Sequence, residues 1–251
     1  MNNKERFSDR VDSYLKYRPS YPEEAIDYLY DHVGLRSNSR IADIGAGTGI
    51  FSKLILERRS YVIAVEPNEA MRAASEQMLN KNSNFQAISG SAESTGLPDQ
   101  SVEFIVCAQA FHWFDRSGAQ AEFRRILQPG GKVILIWNTR LTNGTPFREE
   151  YDDLLHTYGT DYKKVNHKNV SQTMLQSFFK EVTMHEERFR ISQEFDFESL
   201  RGRLLSSSYS PVPGHPHYIP MMKELRNLFD RTNKDGIVHF DYETEIFWGE
   251  V

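Results

Sequence analysis

The chain has 251 residues, of which 39% are hydrophobic and 26% charged, a balance typical of a folded globular protein and not of a disordered one. A formal net charge of −5 excludes the strongly basic surface that nucleic-acid or anionic-membrane binding requires, so neither partner is expected. The single cysteine, the polar first ten residues and the absence of a membrane-length apolar run predict a cytoplasmic protein.

Strand-like and helix-like segments alternate between residues 40 and 137. Short apolar runs predict buried strands, and 3.6-residue spacing of apolar positions predicts helices between them. Strands are expected at 40–45, 61–66, 84–89, 102–110 and 132–137, and helices at 51–59, 68–80 and 118–127. This alternation predicts an α/β fold, a doubly wound and mostly parallel sheet with helices on both faces.

Less regular regions flank the alternating core. Residues 1–35 are predicted to be helical, with an interruption at YRPSYP (17–22), where two prolines impose turns. Beyond residue 140, helices are expected at 147–159, 174–179, 197–208 and 218–230, and a strand at 182–191. The alternating segment 236–251 predicts an antiparallel strand at the edge of the sheet.

The stretch IADIGAGTGI (41–50) joins the first strand to the first helix of the core with three glycines in five positions. A glycine-rich turn at a helix N-terminus lets a ligand approach the backbone. The dinucleotide fingerprint fits poorly, because Ile50 occupies its third glycine position and Asp43 would repel a pyrophosphate. A carboxylate there instead suits a ligand with an ammonium group and no phosphate, such as S-adenosylmethionine.

Glu66 ends the second predicted strand, where a carboxylate can accept hydrogen bonds from both hydroxyls of a ribose. Sites for nicotinamide dinucleotides use such an acid as well. Glu66 therefore supports an adenosine ligand without telling the two cofactor classes apart.

Four motifs carry a family resemblance: IADIGAGTG (41–49), VEPNEAM (65–71) and the segments 90–115 and 126–138. In this order and spacing they resemble the class I S-adenosylmethionine-dependent methyltransferases, in particular the type 11-like small-molecule group. YRPSYP and QAFHWF are similar to elements of proteins related to trans-aconitate methyltransferases. The resemblance implies a Rossmann-like seven-stranded sheet with an antiparallel last strand, a helical N-terminal lid and C-terminal helical insertions.

The resemblance also implies a cofactor site for S-adenosylmethionine. The residues expected to contribute to it are Asp43, Gly45, Gly47, Thr48, Gly49, Glu66, Pro67, Asn68, Met71, Ser91, Ala92, Glu93 and Gln109. Ser91 departs from the pattern, since relatives often carry an aspartate there. The N-terminal lid is expected to offer Tyr14 and Arg18 to the methionyl carboxylate.

Methyl transfer from a sulfonium requires alignment and exclusion of water more than chemical activation. His112 is the candidate general base, although the aromatic run FHWF is equally consistent with a packed histidine. Residues expected to contact the methyl acceptor are Tyr17, Trp113, Asn138 and Arg140. The pair His215 and His217 has no evident third ligand, so no metal site is predicted.

The predicted division is a lid at 1–35, a cofactor-binding core at 36–140, and substrate-side helices with the last two strands at 141–251. The predicted function is S-adenosylmethionine-dependent methyl transfer to a small organic molecule, to oxygen, by a monomer or homodimer. A non-catalytic S-adenosylmethionine-binding sensor or subunit is the alternative. A nicotinamide-dependent oxidoreductase is disfavoured by Ile50 and Asp43.

Overall fold

A seven-stranded sheet in the order β3-β2-β1-β4-β5-β7-β6 organises the protein. The computed structural model describes residues 15–163, 170–180 and 183–251. The strands are β1 Arg40–Ile44, β2 Tyr61–Val65, β3 Phe85–Ile88, β4 Val102–Ala108, β5 Leu127–Arg140, β6 His185–Phe195 and β7 Val238–Gly249. The helices are α1 Glu23–Tyr28, α2 Ile50–Glu57, α3 Glu69–Leu79, α4 Arg116–Ile126, α5 Pro146–Tyr158, α6 Gln172–Phe178, α7 Phe197–Leu205 and α8 Tyr218–Thr232.

The predicted doubly wound, mostly parallel sheet is confirmed. The first five strands pair in parallel, and β7 runs antiparallel against both β5 and β6. One expectation was wrong: segment 236–251 is not an edge strand, because β7 lies between β5 and β6, and β6 forms the edge. An alternating pattern fits either position, since both leave one face of the strand partly exposed.

The sheet is covered on both faces by apolar layers. Val106 and Cys107 are neighbours in β4 and both fully buried, yet they belong to opposite layers because successive side chains point to opposite faces. A third apolar cluster joins α5, α7 and α8 to the ends of β6 and β7. Of the described helices, none is long and apolar enough to cross a bilayer.

The N-terminal region has two parts. Helix α1 continues as a π-helical turn at Leu29–Val33, and its buried side chains pack in the same layer as α2. Residues 15–22, here called the N-terminal strap, precede this helix and contact Ser206, just after α7, and Asn138 of β5. The strap is thus the part of the N-terminal region that reaches the candidate site.

Candidate active site

The three glycines between β1 and α2 serve different purposes. A Cβ added at Gly45 would lie 2.6 Å from Cβ of Ala110, and one at Gly49 would lie 2.9 Å from Cδ1 of Leu79. Packing against neighbouring segments therefore requires glycine at both positions. At Gly47, where φ is +57°, an added Cβ would meet nothing within 4 Å. Gly47 is the position of the three that faces open space.

This open space belongs to a cavity at the carboxyl ends of β1, β4 and β5, the edge where ligands bind in open α/β sheets. The strap and α7 close it from the other side. The residues that line it are Arg18, Pro19, Tyr21, Gly45, Ala46, Gly47, Thr48, Ile50, Phe51, Ala108, Gln109, Asn138 and Arg203. Six of these lining residues were predicted from the sequence, and they come from four separate segments of the chain: Arg18, Gly45, Gly47, Thr48, Gln109 and Asn138.

Glu66 holds the glycine loop in place. Its Oε2 accepts a hydrogen bond from the Gly47 amide at 2.9 Å, and its Oε1 accepts one from the Asn68 amide at 2.8 Å. Burial raises the pKa of Glu66, while these two amides oppose the shift. Each carboxylate oxygen has a further lone pair, so Glu66 can anchor the loop and still accept hydroxyl groups of a ligand.

Asp43 lies in β1 just before the loop and does not line the cavity. It is 1% exposed, and its Oδ2 accepts a hydrogen bond from the Ser52 hydroxyl at 2.6 Å. Its Oδ1 is buried without a partner among the described residues, as is Oγ1 of Thr48. Burial raises the pKa of Asp43 to about 7. Two unsatisfied oxygens beside one loop leave room for donors from a ligand.

Asp43 should make the stability of the protein fall as pH rises. Its pKa is about 7 in the fold against an ordinary 3.8, so the folded chain holds the extra proton between these values. The stabilisation of the fold by this proton is greatest below pH 3.8 and is lost as the pH rises through about 7. Asp43→Asn should therefore be more stable than wild type at about pH 8, by up to about 4 kcal/mol, with little difference at about pH 4.

Urea unfolding of both proteins at the two pH values measures this difference. The exposed Asp31→Asn is the control variant, expected to change stability equally at both. An Asp43→Asn effect that does not depend on pH would contradict a buried, proton-binding Asp43.

The residues expected around adenosine lie on the turns after β2 and β3, and several have structural contacts of their own. Asn68 caps α3 by accepting a hydrogen bond from the Met71 amide at 3.0 Å. Glu93 accepts one from the Asp115 amide at 2.9 Å, ahead of α4. The remaining members of this group are Pro67, Ser91 and Ala92. Their contacts with a cofactor stay predictions.

Gln109 follows β4 and lines the cavity, as expected for a residue beside the methionyl group. Its φ is +59°, in the left-handed region that a residue with a side chain rarely adopts. Its amide donates to the Ile136 carbonyl at 2.8 Å, which helps to hold this conformation. Backbone strain of about 1–3 kcal/mol persists where the surroundings enforce it, and such positions cluster at functional sites.

His112 lies outside the residues that line the cavity. Its Nδ1 accepts a hydrogen bond from Nε1 of Trp137 at 3.4 Å, and its ring lies 4.8 Å from that of Trp113. This arrangement is that of the packed histidine, one of the two roles that the sequence left open. Trp113 is likewise absent from the cavity lining, so the roles predicted for both residues stay predictions.

Three contacts hold the strap across the cavity. The Tyr17 ring lies directly against Gly202 of α7, Arg18 donates to the Ser206 carbonyl at 3.1 Å, and Asn138 donates through Nδ2 to the Ser20 carbonyl at 3.0 Å. Oδ1 of Asn138 accepts from the Thr244 hydroxyl at 2.6 Å, so its amide already holds the strap and β7. Tyr14 lies outside the described residues.

Gly202→Ala should open the strap. A Cβ at this position would lie 2.1 Å from Cε2 of Tyr17, although alanine favours a helix over glycine by about 1 kcal/mol. We therefore expect α7 to remain intact while residues 15–22 exchange amide hydrogens faster. Hydrogen exchange measures this directly. Tyr17→Ala, which removes the same contact from the other side, should give the same pattern, and unchanged exchange in both would show that this contact does not hold the strap.

Arg203 was not predicted, yet it lines the cavity and is only 6% exposed. Its spacing in the sequence could have indicated burial, because Leu200, Arg203 and Leu204 share one face of α7, and all three are buried. Arg140, which was predicted, does not line the cavity. It pairs with Asp152 at 2.6 Å and lies over the ring of Tyr151.

No group of three His, Cys, Asp or Glu side chains within the described ranges is arranged to hold a metal ion. The imidazoles of His215 and His217 lie 5.2 Å apart between ring centroids. The Nδ1 of His215 accepts from the His217 amide, which gives this pair a local structural contact.

Comparisons with known proteins find similarity to methyltransferases. The family model described as "Methyltransferase domain" matches residues 42–135. An uncharacterized methyltransferase of Mycobacterium bovis is 41% identical over 138 residues, 53% of this chain and 52% of the relative. An uncharacterized methyltransferase-like protein of Schizosaccharomyces pombe is 35% identical over 156 residues, 62% of this chain and 59% of the relative. The chain thus spans about half the length of the curated relatives it matches.

Solved structures share the fold. A protein of Anaeromyxobacter dehalogenans described as a type II methyltransferase superposes with a TM-score of 0.71 at 22% identity, covering 93% of this chain and 98% of its own. Phosphoethanolamine N-methyltransferase 2 of Haemonchus contortus, solved with S-adenosylhomocysteine, superposes with a TM-score of 0.55 at 13% identity, covering 97% of this chain and 57% of its own. These likenesses show that the chain shares its fold with methyltransferases.

Proposed function

We propose that the chain is a class I S-adenosylmethionine-dependent methyltransferase that transfers the methyl group to an oxygen of a small organic molecule. The match of residues 42–135 to a methyltransferase domain supports this proposal. The glycine loop carries the proposal. Gly47 faces open space, while Glu66 ties the loop amide to the turn after β2. The loop thus combines room for a ligand with the acid expected to bind a ribose.

The residues around the loop fit this cofactor. Thr48 lines the cavity, and its unsatisfied Oγ1 suits a donor at the amino acid end of the cofactor. The remaining lone pairs of Glu66 suit its ribose hydroxyls. Arg18 lines the same cavity and suits its carboxylate. When bound, S-adenosylmethionine supplies a methyl group already activated by its sulfonium. A dinucleotide fits this loop less well, because Ile50 occupies the third glycine position of the dinucleotide fingerprint.

The protein's part in the reaction is then alignment and exclusion of water. The strap, held by Asn138 and by contacts with α7, covers the cavity. The Gln109 amide donates to the Ile136 carbonyl and so holds the residue after β4 against β5 at the edge of the cavity. Since His112 lies outside the lining, the acceptor best suited to this site is an oxygen that is already deprotonated.

Radiolabelled methyl transfer tests this proposal. The purified protein is incubated with methyl-labelled S-adenosylmethionine and a pool of small metabolites, and the small-molecule fraction is then treated with mild base. Label in that fraction that base releases as methanol supports transfer to a carboxylate oxygen, whereas base-stable label indicates another acceptor atom. Binding of S-adenosylhomocysteine without any transferred label would favour the non-catalytic sensor instead.

A further inference from the structure

Arg203 is a buried charge without a matching carboxylate. Its Nε donates to the Tyr242 hydroxyl at 3.3 Å and its Nη1 to the Ser207 hydroxyl at 3.1 Å, both of which are neutral groups. Among the described residues no Asp or Glu forms an ion pair with it, although it is only 6% exposed. Burying an unpaired charge is strongly unfavourable, and arginine does not escape the cost by losing its proton.

A second buried arginine lies on the same side. Arg140 and Arg203 both interact with Tyr151 and Tyr209, which places the two guanidinium groups around common neighbours. Asp152 pairs with Arg140 at 2.6 Å but also accepts from the Tyr162 hydroxyl at 2.7 Å. Nη1 of Arg140 is buried without a partner in the described part of the chain. Among the described residues, Asp152 is thus the one carboxylate that pairs with either arginine, and it pairs with Arg140.

The charges of nearby arginines affect the pKa of Tyr209. Burial alone would raise the pKa of its hydroxyl, but the charges of Arg203, Arg18 and Arg140 outweigh this and hold the pKa below its ordinary value of 10.0. Arg203 and Arg18 also line the cavity beside the glycine loop. The guanidinium group of Arg203 therefore belongs to the site and not only to the interior of the fold.

We propose that Arg203, supported by Arg140, forms an anion subsite that holds a negatively charged group of the methyl acceptor, so the acceptor is an acidic small molecule. This rests on the proposed function. The proposed function assigns the cofactor's single carboxylate to Arg18, which leaves the charge of Arg203 for a second anion. A planar guanidinium with neighbouring hydroxyl donors suits a carboxylate, phosphate or sulfate group.

Anion titration of the complex with S-adenosylhomocysteine tests the subsite. The full chain, saturated with S-adenosylhomocysteine, is titrated with malonate, inorganic phosphate or sulfate at constant ionic strength, with chloride as the reference. We expect at least one of the three to raise the melting temperature of wild type, and its apparent affinity to fall at least about tenfold in Arg203→Met. The exposed Arg201→Met on the same helix is the matched control and should keep the response.

The melting temperature without anion and the binding of two cofactor analogues show whether Arg203 binds the acceptor or the cofactor. Without added anion, Arg203→Met should melt no lower than wild type, because methionine removes an unpaired buried charge at similar volume. S-adenosylhomocysteine and methylthioadenosine, which lacks the amino acid end, are then compared in wild type and variant. If the variant weakens only S-adenosylhomocysteine, Arg203 binds the cofactor and the acceptor subsite is wrong. If none of the anions stabilises a wild-type complex that does bind S-adenosylhomocysteine, the subsite is also wrong, while the proposed cofactor remains supported.

Discussion

Gly47→Val is expected to abolish binding of S-adenosylhomocysteine while the protein still unfolds cooperatively. An added Cβ at this position meets no protein atom within 4 Å, so the valine side chain would project into the space assigned to the ligand. Gly45 and Gly49 do not offer this test, because a side chain at either would collide with the protein itself. Isothermal titration calorimetry gives the affinity, and thermal unfolding shows whether the fold survives.

Gly130→Val is the matched control for this substitution. Its φ of +78° imposes a similar backbone penalty, and an added Cβ there also meets nothing within 4 Å. Gly130 lies at the start of β5, at the opposite end of that strand from the cavity. The control should lose comparable stability, about 1–2 kcal/mol, and keep its affinity. Normal binding by Gly47→Val would show that the loop is only a tight turn.

Glu66→Ala is expected to weaken S-adenosylhomocysteine binding by about tenfold to over a hundredfold, equivalent to about 1.5–3 kcal/mol. The substitution removes an acceptor for the ribose hydroxyls and also leaves the Gly47 and Asn68 amides without the Glu66 carboxylate. Both losses act on the same loop, so the effect should exceed that of one hydrogen bond. Calorimetry on the variant and on wild type measures it.

Exposed Glu69 provides the control for Glu66, since it lies three residues further on, in the first turn of α3. Glu69→Ala should keep wild-type affinity and lose only the small favourable interaction of an acid with a helix N-terminus, about 0.3–1 kcal/mol. Equal affinities in wild type and Glu66→Ala would remove Glu66 from the site.

The sheet was predictable from residues 40 to 137 because each strand and helix there has its own local pattern. The order of the last strands was not, because the segment 236–251 alternates in a way that fits both an edge strand and its neighbour. Its place between β5 and β6 depends on pairing with residues about a hundred positions away, as Trp137 with Glu245 shows. No local pattern encodes such a partner.

The candidate site was predictable where a motif is continuous in sequence. Gly45, Gly47 and Gly49 look equivalent in the sequence, and only their neighbours in the fold separate Gly47, which faces open space, from the other two, where an added Cβ would be crowded. Arg203 was not predicted as a site residue, because an arginine on an apolar helix face interrupts the hydrophobic periodicity and gives no sign of its own function. Asn138 lines the cavity, and its amide also holds the strap and β7, contacts that no local pattern predicts. Its contact with the acceptor stays a prediction.

The central claim is that the glycine loop binds S-adenosylmethionine and not a dinucleotide. Calorimetric titration of the wild-type chain with S-adenosylhomocysteine and, in parallel, with NADH tests it most directly. We expect saturable binding of S-adenosylhomocysteine at one site per chain and no binding of NADH, because Ile50 occupies the third glycine position of the dinucleotide fingerprint and lines the cavity. Saturable binding of NADH, or no heat with S-adenosylhomocysteine, would contradict the claim.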